Sequence, residues 1–156
     1  MKKTFMLTLS HLLFAALGFA LGIYMLPILT APEAPSAEEV AAALSNAEYR
    51  AEFRRDLPGS DFLHWGEGKV MIGKRSIVLQ GEIAPGPDYK LYLSPKYVET
   101  EAEFERIKPE MILVGDVKTF ENFVIPIPAT VDPAAYNTVV VWCESFGEFI
   151  TAARYQ

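Results

Sequence analysis

The first stretch of the chain has no polar face. Residues 4–29 contain no Lys, Arg, Asp or Glu. From Thr4 to Leu26 the run is 23 residues, about 35 Å of helix against a hydrocarbon layer of roughly 30 Å. This predicts a transmembrane helix over 1–29 that meets the lipid bilayer through residues 4–29. Residues 30–36 form a Pro-containing spacer. Residues 37–56 are rich in Ala and Glu, lack Gly and Pro, and read as one helix. Ser36 and Glu39 have the spacing of a capping box at its start. Val40, Leu44, Ala47 and Ala51 give it a narrow apolar face. Spacer and helix together make a stalk over 30–57.

From Ser60 the pattern shortens to apolar runs separated by Gly and Pro. Residues 62–65, 69–72, 76–82, 89–93, 111–116, 122–127, 138–143 and 148–154 read as strands. One helix is expected over 100–108, opened by a second capping box at Thr100 and Glu103. The expected fold is mainly β: an antiparallel, Greek-key-like β-sandwich over 58–156, preceded by the transmembrane helix and the stalk helix. Asp132-Pro-Ala-Ala-Tyr136 has the look of a tyrosine corner, with Tyr136 as its structural lock.

Charge sets the orientation. Lys2 and Lys3 precede the span, and no Lys or Arg follows until Arg50. The asymmetry predicts a cytoplasmic N-terminus and an extracytoplasmic domain, periplasmic or at the cell surface. A cleaved signal peptide is the alternative. The run exceeds the usual h-region of about 7–15 residues. Cleavage after Ala31 or Ala34 would leave Pro32 or Pro35 first, so a signal-anchor is expected. The net charge is −6, and residues 32–156 carry −8 of their own. That balance disfavours nucleic acid and charge-driven contact with anionic lipid. Within the span, Gly18 and Gly22 form a G-x-x-x-G pair, read as ordinary membrane-helix glycine usage. His11 is read as interfacial rather than as a haem ligand or a partner for another helix.

Little conventional catalytic chemistry is visible. There is no P-loop, dinucleotide fingerprint, H-E-x-x-H or G-x-S-x-G motif, so a conventional enzyme is not expected. One Cys and two His cannot build a Cys/His zinc site, and no metal site is expected. The acids of 99–105 read as a solvated face rather than as calcium ligands. Strand alternation puts Val139, Val141 and Cys143 on one face and Val140, Trp142 and Glu144 on the other. Cys143 is then either a buried small hydrophobe or a redox or ligand thiol. An unused exposed thiol would be oxidised outside the cytoplasm. His64 either locks the turn before Gly66 or serves as a ligand.

Three ordered motifs carry a resemblance. His64-x-Gly66-x-Gly68-Lys-Val70-x-Ile72, Gly86-Pro87-Asp88-x-x-Leu91-Tyr92-Leu93-Ser94 and Tyr136-Asn-Thr-Val139-Val-Val-Trp142-Cys143-x-x-Phe146 resemble the DM-thirteen (DM13) electron-transfer domain. The resemblance covers residues 60–156. Tyr89 stands where the family's central motif usually has Leu, and Ile150-Thr151 where Phe-Gly usually follows. The resemblance implies an extracytoplasmic β domain with an accessory redox or electron-transfer role centred on the cysteine matching Cys143. On that reading Cys143, with His64 and Trp142 near it, binds a haem or a metal, or Cys143 cycles with a redox partner or a second copy of the chain. No motif specifies the cofactor. The competing reading is a non-catalytic, membrane-tethered interaction or binding module in which Cys143 is structural.

Overall fold

The computed structural model describes residues 1–44 and 47–156. Helix α1 (Lys2–Thr30) includes Pro27 and buries none of its residues. Among the described residues it is the one helix long and apolar enough to cross a membrane, with a mean hydropathy of 2.3 over its best window. Helix α2 (Ala37–Leu44) begins as expected: Ser36 Oγ accepts the Glu39 amide at 3.2 Å, and the Glu39 carboxylate accepts the Ser36 amide at 2.8 Å. These bonds hold the Glu39 carboxyl below its usual range.

The helix expected over 37–56 does not continue. Strand β1 (Ala47–Phe53) takes its second half, while the side chain of Leu44 and all of Ser45 and Asn46 lie outside the described residues. The physical reason is alternation. Tyr49, Ala51 and Phe53 turn inward, Glu48, Arg50 and Glu52 turn outward, and pairing with β2 outweighs Ala and Glu helix propensity. Part of the expected stalk is therefore an edge strand of the sandwich. Helix α2 lies on that sheet, with Val40 buried against Met71 and Val78.

The remaining strands are β2 (Gly66–Gly73), β3 (Ser76–Ile83), β4 (Tyr89–Ser94), β5 (Ile112–Val117), β6 (Glu121–Pro126), β7 (Thr138–Cys143) and β8 (Glu148–Arg154). They form two antiparallel four-stranded sheets, ordered β1-β2-β3-β6 and β5-β4-β7-β8. This is the expected sandwich. Residues 62–65 are not a strand but a bent loop. The Asp61 carboxylate accepts the amides of Leu63 at 2.7 Å and His64 at 2.8 Å, an Asx-type turn that diverts those donors from a ladder. Helix α3 (Glu101–Ile107) starts at Thr100, whose hydroxyl accepts the Glu103 amide. The Glu103 carboxylate accepts from Glu99 rather than closing a strict capping box on Thr100.

The main core lies between the sheets and contains Val139, Val141 and Cys143. A second core lies outside the β4–β7–β8 sheet and contains Val140, Trp142, Phe104, Ile107 and Phe149. Strand β7 is thus buried on both faces, divided as its alternation predicts. The lock at residues 132–136 differs from expectation: the hydroxyl that bonds back to this turn is Tyr155's, donating to the Pro133 carbonyl at 2.8 Å. Asp132 caps the short turn by accepting from Ala134. Thr151, at the position where the family usually has Gly, sets its methyl against Gly66 and leaves Oγ1 buried without a hydrogen-bond partner among the described residues.

Candidate functional site

Strand β4 enters the sheet at Tyr89 and β7 leaves it at Cys143, and the two residues pair in register. Facing residues of neighbouring antiparallel strands project from the same face. Both side chains therefore point between the sheets, at the end where the sandwich is open. The turns beside them fix this arrangement. Glu144 donates its amide to the Asp88 carbonyl at 3.0 Å, and Ser145 Oγ donates to the Asp88 carboxylate at 2.9 Å. Lys90 bridges Asp88 and Asp116, at 2.9 Å to each. Hydrogen bonds from Lys90 and Ser145 hold the Asp88 carboxyl below its usual range. Gly147 closes the turn at φ +68°, donating to the Cys143 carbonyl at 2.9 Å. That backbone favours Gly.

A cavity of about 200 Å³ opens over these two residues. Cys143 and Tyr89, each 3% exposed, lie on its floor. Burial pushes the Cys143 thiol up, and the Phe146 amide offsets this only in part. Burial also raises the Tyr89 phenol, reinforced by the neighbouring sulfur. Both groups stay protonated at neutral pH. Tyr89 stands edge-on to Phe120, with ring centroids 6.2 Å apart. It folds over Gly86 so closely that a Cβ there would collide with the phenol. The Tyr89 hydroxyl has no hydrogen-bond partner among the described residues.

His64 reaches the wall of the same cavity from its loop. Its Nδ1 lies 3.1 Å from Asp61 Oδ1. Burial alone would raise the Asp61 carboxyl, but the Leu63 amide and the His64 ring and amide outweigh it and hold it low. The contact with Asp61 thereby fixes the orientation of the His64 ring in its turn. Leu63 and Phe146 form an exposed apolar rim, and Ile23 and Tyr24 of α1 border it.

The structure brings Cys143 and His64 to one cavity and keeps Trp142 out of it. Trp142 lies on the outer face of β7, stacked on Phe104 with centroids 4.0 Å apart and planes 12° apart. Beside it, Lys108 bonds Glu144 at 2.6 Å, and Tyr92 donates its hydroxyl to the same carboxylate. Burial raises the Glu144 carboxyl less than these two partners lower it. The residue missed in the sequence is Tyr89. The one signal in the sequence is that Tyr89 stands where the family's central motif usually has Leu.

The site does not fit the larger cofactors. The cavity is smaller than the roughly 300–1,000 Å³ that hosts drug-sized ligands, and a haem macrocycle exceeds it. Among the described residues no group of three His, Cys, Asp or Glu could hold a metal ion. No curated protein and no solved structure matches the chain significantly. The family described as Electron transfer DM13 matches residues 58–155, which include His64, Tyr89 and Cys143 but not Ala20, Ile23 and Tyr24 of α1, which also line the cavity. That span is more than half of the sequence, and the chain belongs to the electron transfer DM13 family.

Proposed function

We propose that the protein is a membrane-anchored, extracytoplasmic binding module serving electron transfer, with the end cavity over Cys143 as its binding site. Lys2 and Lys3, with no further base before Arg50, support a cytoplasmic N-terminus. The length and hydropathy of α1 support retention as an anchor. The observation that carries the binding role is the placement of Cys143: a buried thiol on the floor of a cavity, raised by that burial, beside a phenol with no hydrogen-bond partner among the described residues. Reactive cysteines sit in electropositive, partly exposed surroundings that favour thiolate. Cys143 has the opposite setting. It forms part of the wall, and the accessory role in electron transfer is to hold a small molecule.

The second reading, thiol chemistry at Cys143, is favoured by the family's electron-transfer description. Alkylation separates the two. With iodoacetamide at pH 7.5, folded full-length protein should react at least about 100-fold more slowly than protein unfolded in urea, because thiolate reacts and burial disfavours it. Equal rates would overturn the binding reading in favour of an active thiol. Topology is tested by protease treatment of sealed vesicles: the β domain should be cut only when the extracytoplasmic side is exposed.

A further inference from the structure

The cavity also carries information about what it binds. It is large enough for one ring: a dry apolar cavity of about 150 Å³ accepts benzene, and this one is about 200 Å³. Its rim is lipophilic, with Phe146 55% and Leu63 41% exposed at the mouth and Phe62 next in the chain. Its charge is acidic. Glu148 lines the cavity, and Asp61 stands behind His64. Carboxylates and phosphates are repelled there. One strong donor remains unused, the Tyr89 hydroxyl, held by Phe120 and Gly86 with no protein acceptor among the described residues. Water reaches this hydroxyl, and a ligand carbonyl takes the place of water as its acceptor.

We infer that the cavity binds an uncharged, lipid-soluble single-ring carbonyl compound, its carbonyl oxygen accepting from Tyr89 and its ring lying against Cys143, Pro85 and Phe146. The assignment rests on the binding role proposed above and names the ligand class for the same site. It depends on Tyr89, one of the positions at which this chain departs from the usual family pattern.

The test uses full-length protein in detergent micelles and three probes: tetramethyl-1,4-benzoquinone, tetramethylbenzene of the same ring shape, and benzoate. Binding is read from the amide shifts of Gly86 and Cys143. The quinone should bind roughly threefold to tenfold tighter than tetramethylbenzene, the worth of one net hydrogen bond. Benzoate should not bind. In Tyr89→Phe, which keeps the ring and its packing, the preference for the quinone should vanish while the affinity for tetramethylbenzene holds. Equal affinity of the two neutral probes in the native protein would overturn the carbonyl class and leave the cavity a binding site. Absence of shifts at Gly86 and Cys143 with every probe would overturn both the class and the site. Tighter binding of benzoate would overturn the requirement for a neutral ligand.

Discussion

Strand β7 buries both of its faces, and the two are finished differently. Outward, Val140 and Trp142 meet Phe104 and Phe149, and the polar groups at the edge are mutually satisfied through Glu144, Lys108 and Tyr92. Inward, Val139 and Val141 pack in the main core, but the last position, Cys143, looks into open volume beside a hydroxyl with no partner among the described residues. Equal burial along one strand conceals two jobs. The outer face is filled and paired and carries stability. The inner face stops short of filling at one end, and that end has the attributes of a site. Mutations should separate the two.

The largest effect is expected at Trp142. Trp142→Ala removes the ring stacked on Phe104 and should cost about 3–5 kcal/mol, the usual range for a buried aromatic. Urea unfolding of the full chain measures it. A loss below about 1 kcal/mol would mean that the outer face does not carry the domain's stability. The next effect falls on the inner face. Gly86→Ala places a Cβ against the Tyr89 phenol. Overpacking of this kind should cost about 1–3 kcal/mol. It should also displace Tyr89 and abolish discrimination among neutral ring probes. Trp142→Ala has no contact with the cavity and should leave that discrimination intact wherever the protein remains folded.

How much of this division the sequence revealed varies by residue. The two faces of β7 were legible because alternation over Val139-Val-Val-Trp-Cys143 needs only local spacing. The same alternation already separated Trp142 from Cys143, so grouping them around one cofactor followed their adjacency in the motif rather than their direction. Tyr89 could not be placed beside Cys143 from sequence, because their register pairing joins residues 54 positions apart. Only the departure from Leu marked the position. Residues 47–53 were misread for a related reason. Local propensity favoured helix, and the alternation of Tyr49, Ala51 and Phe53 acquires its value only once β2 lies alongside. The 62–65 segment failed through unrecognised turn chemistry at Asp61. Hydroxyl locks are equally non-local: Tyr155 rather than Tyr136 reaches Pro133 because β8 brings it back across the chain.

The outer face also predicts a pH dependence. Lys108 and Tyr92 hold the Glu144 carboxyl below its ordinary value, so the folded state binds its proton less readily than the unfolded state does. The resulting stability is complete above the unfolded carboxyl pKa of about 4.3. It is lost as pH falls through the lower folded value. Glu144→Gln should remove about 1 kcal/mol at neutral pH, since the pair is only partly buried. It should also flatten the acid limb of a stability-versus-pH curve. An unchanged limb would mean that the latch closing the outer face is not set by this charge.

The smallest effect on stability is expected at the mouth of the cavity. Phe146 is 55% exposed, and Phe146→Ser removes apolar area that water already reaches, so unfolding should change by no more than about 0.5 kcal/mol. The same substitution takes one apolar wall from the mouth. If the inner end of β7 is a site, affinity for a neutral ring probe should fall severalfold while the melting curve stays in place. A residue that matters to binding and not to folding is the signature expected of the inner end, just as Trp142 should show the reverse. Should Phe146→Ser instead lower stability and binding in proportion, the two ends of the comparison would collapse into one packed core, and the cavity would be a packing defect rather than a site.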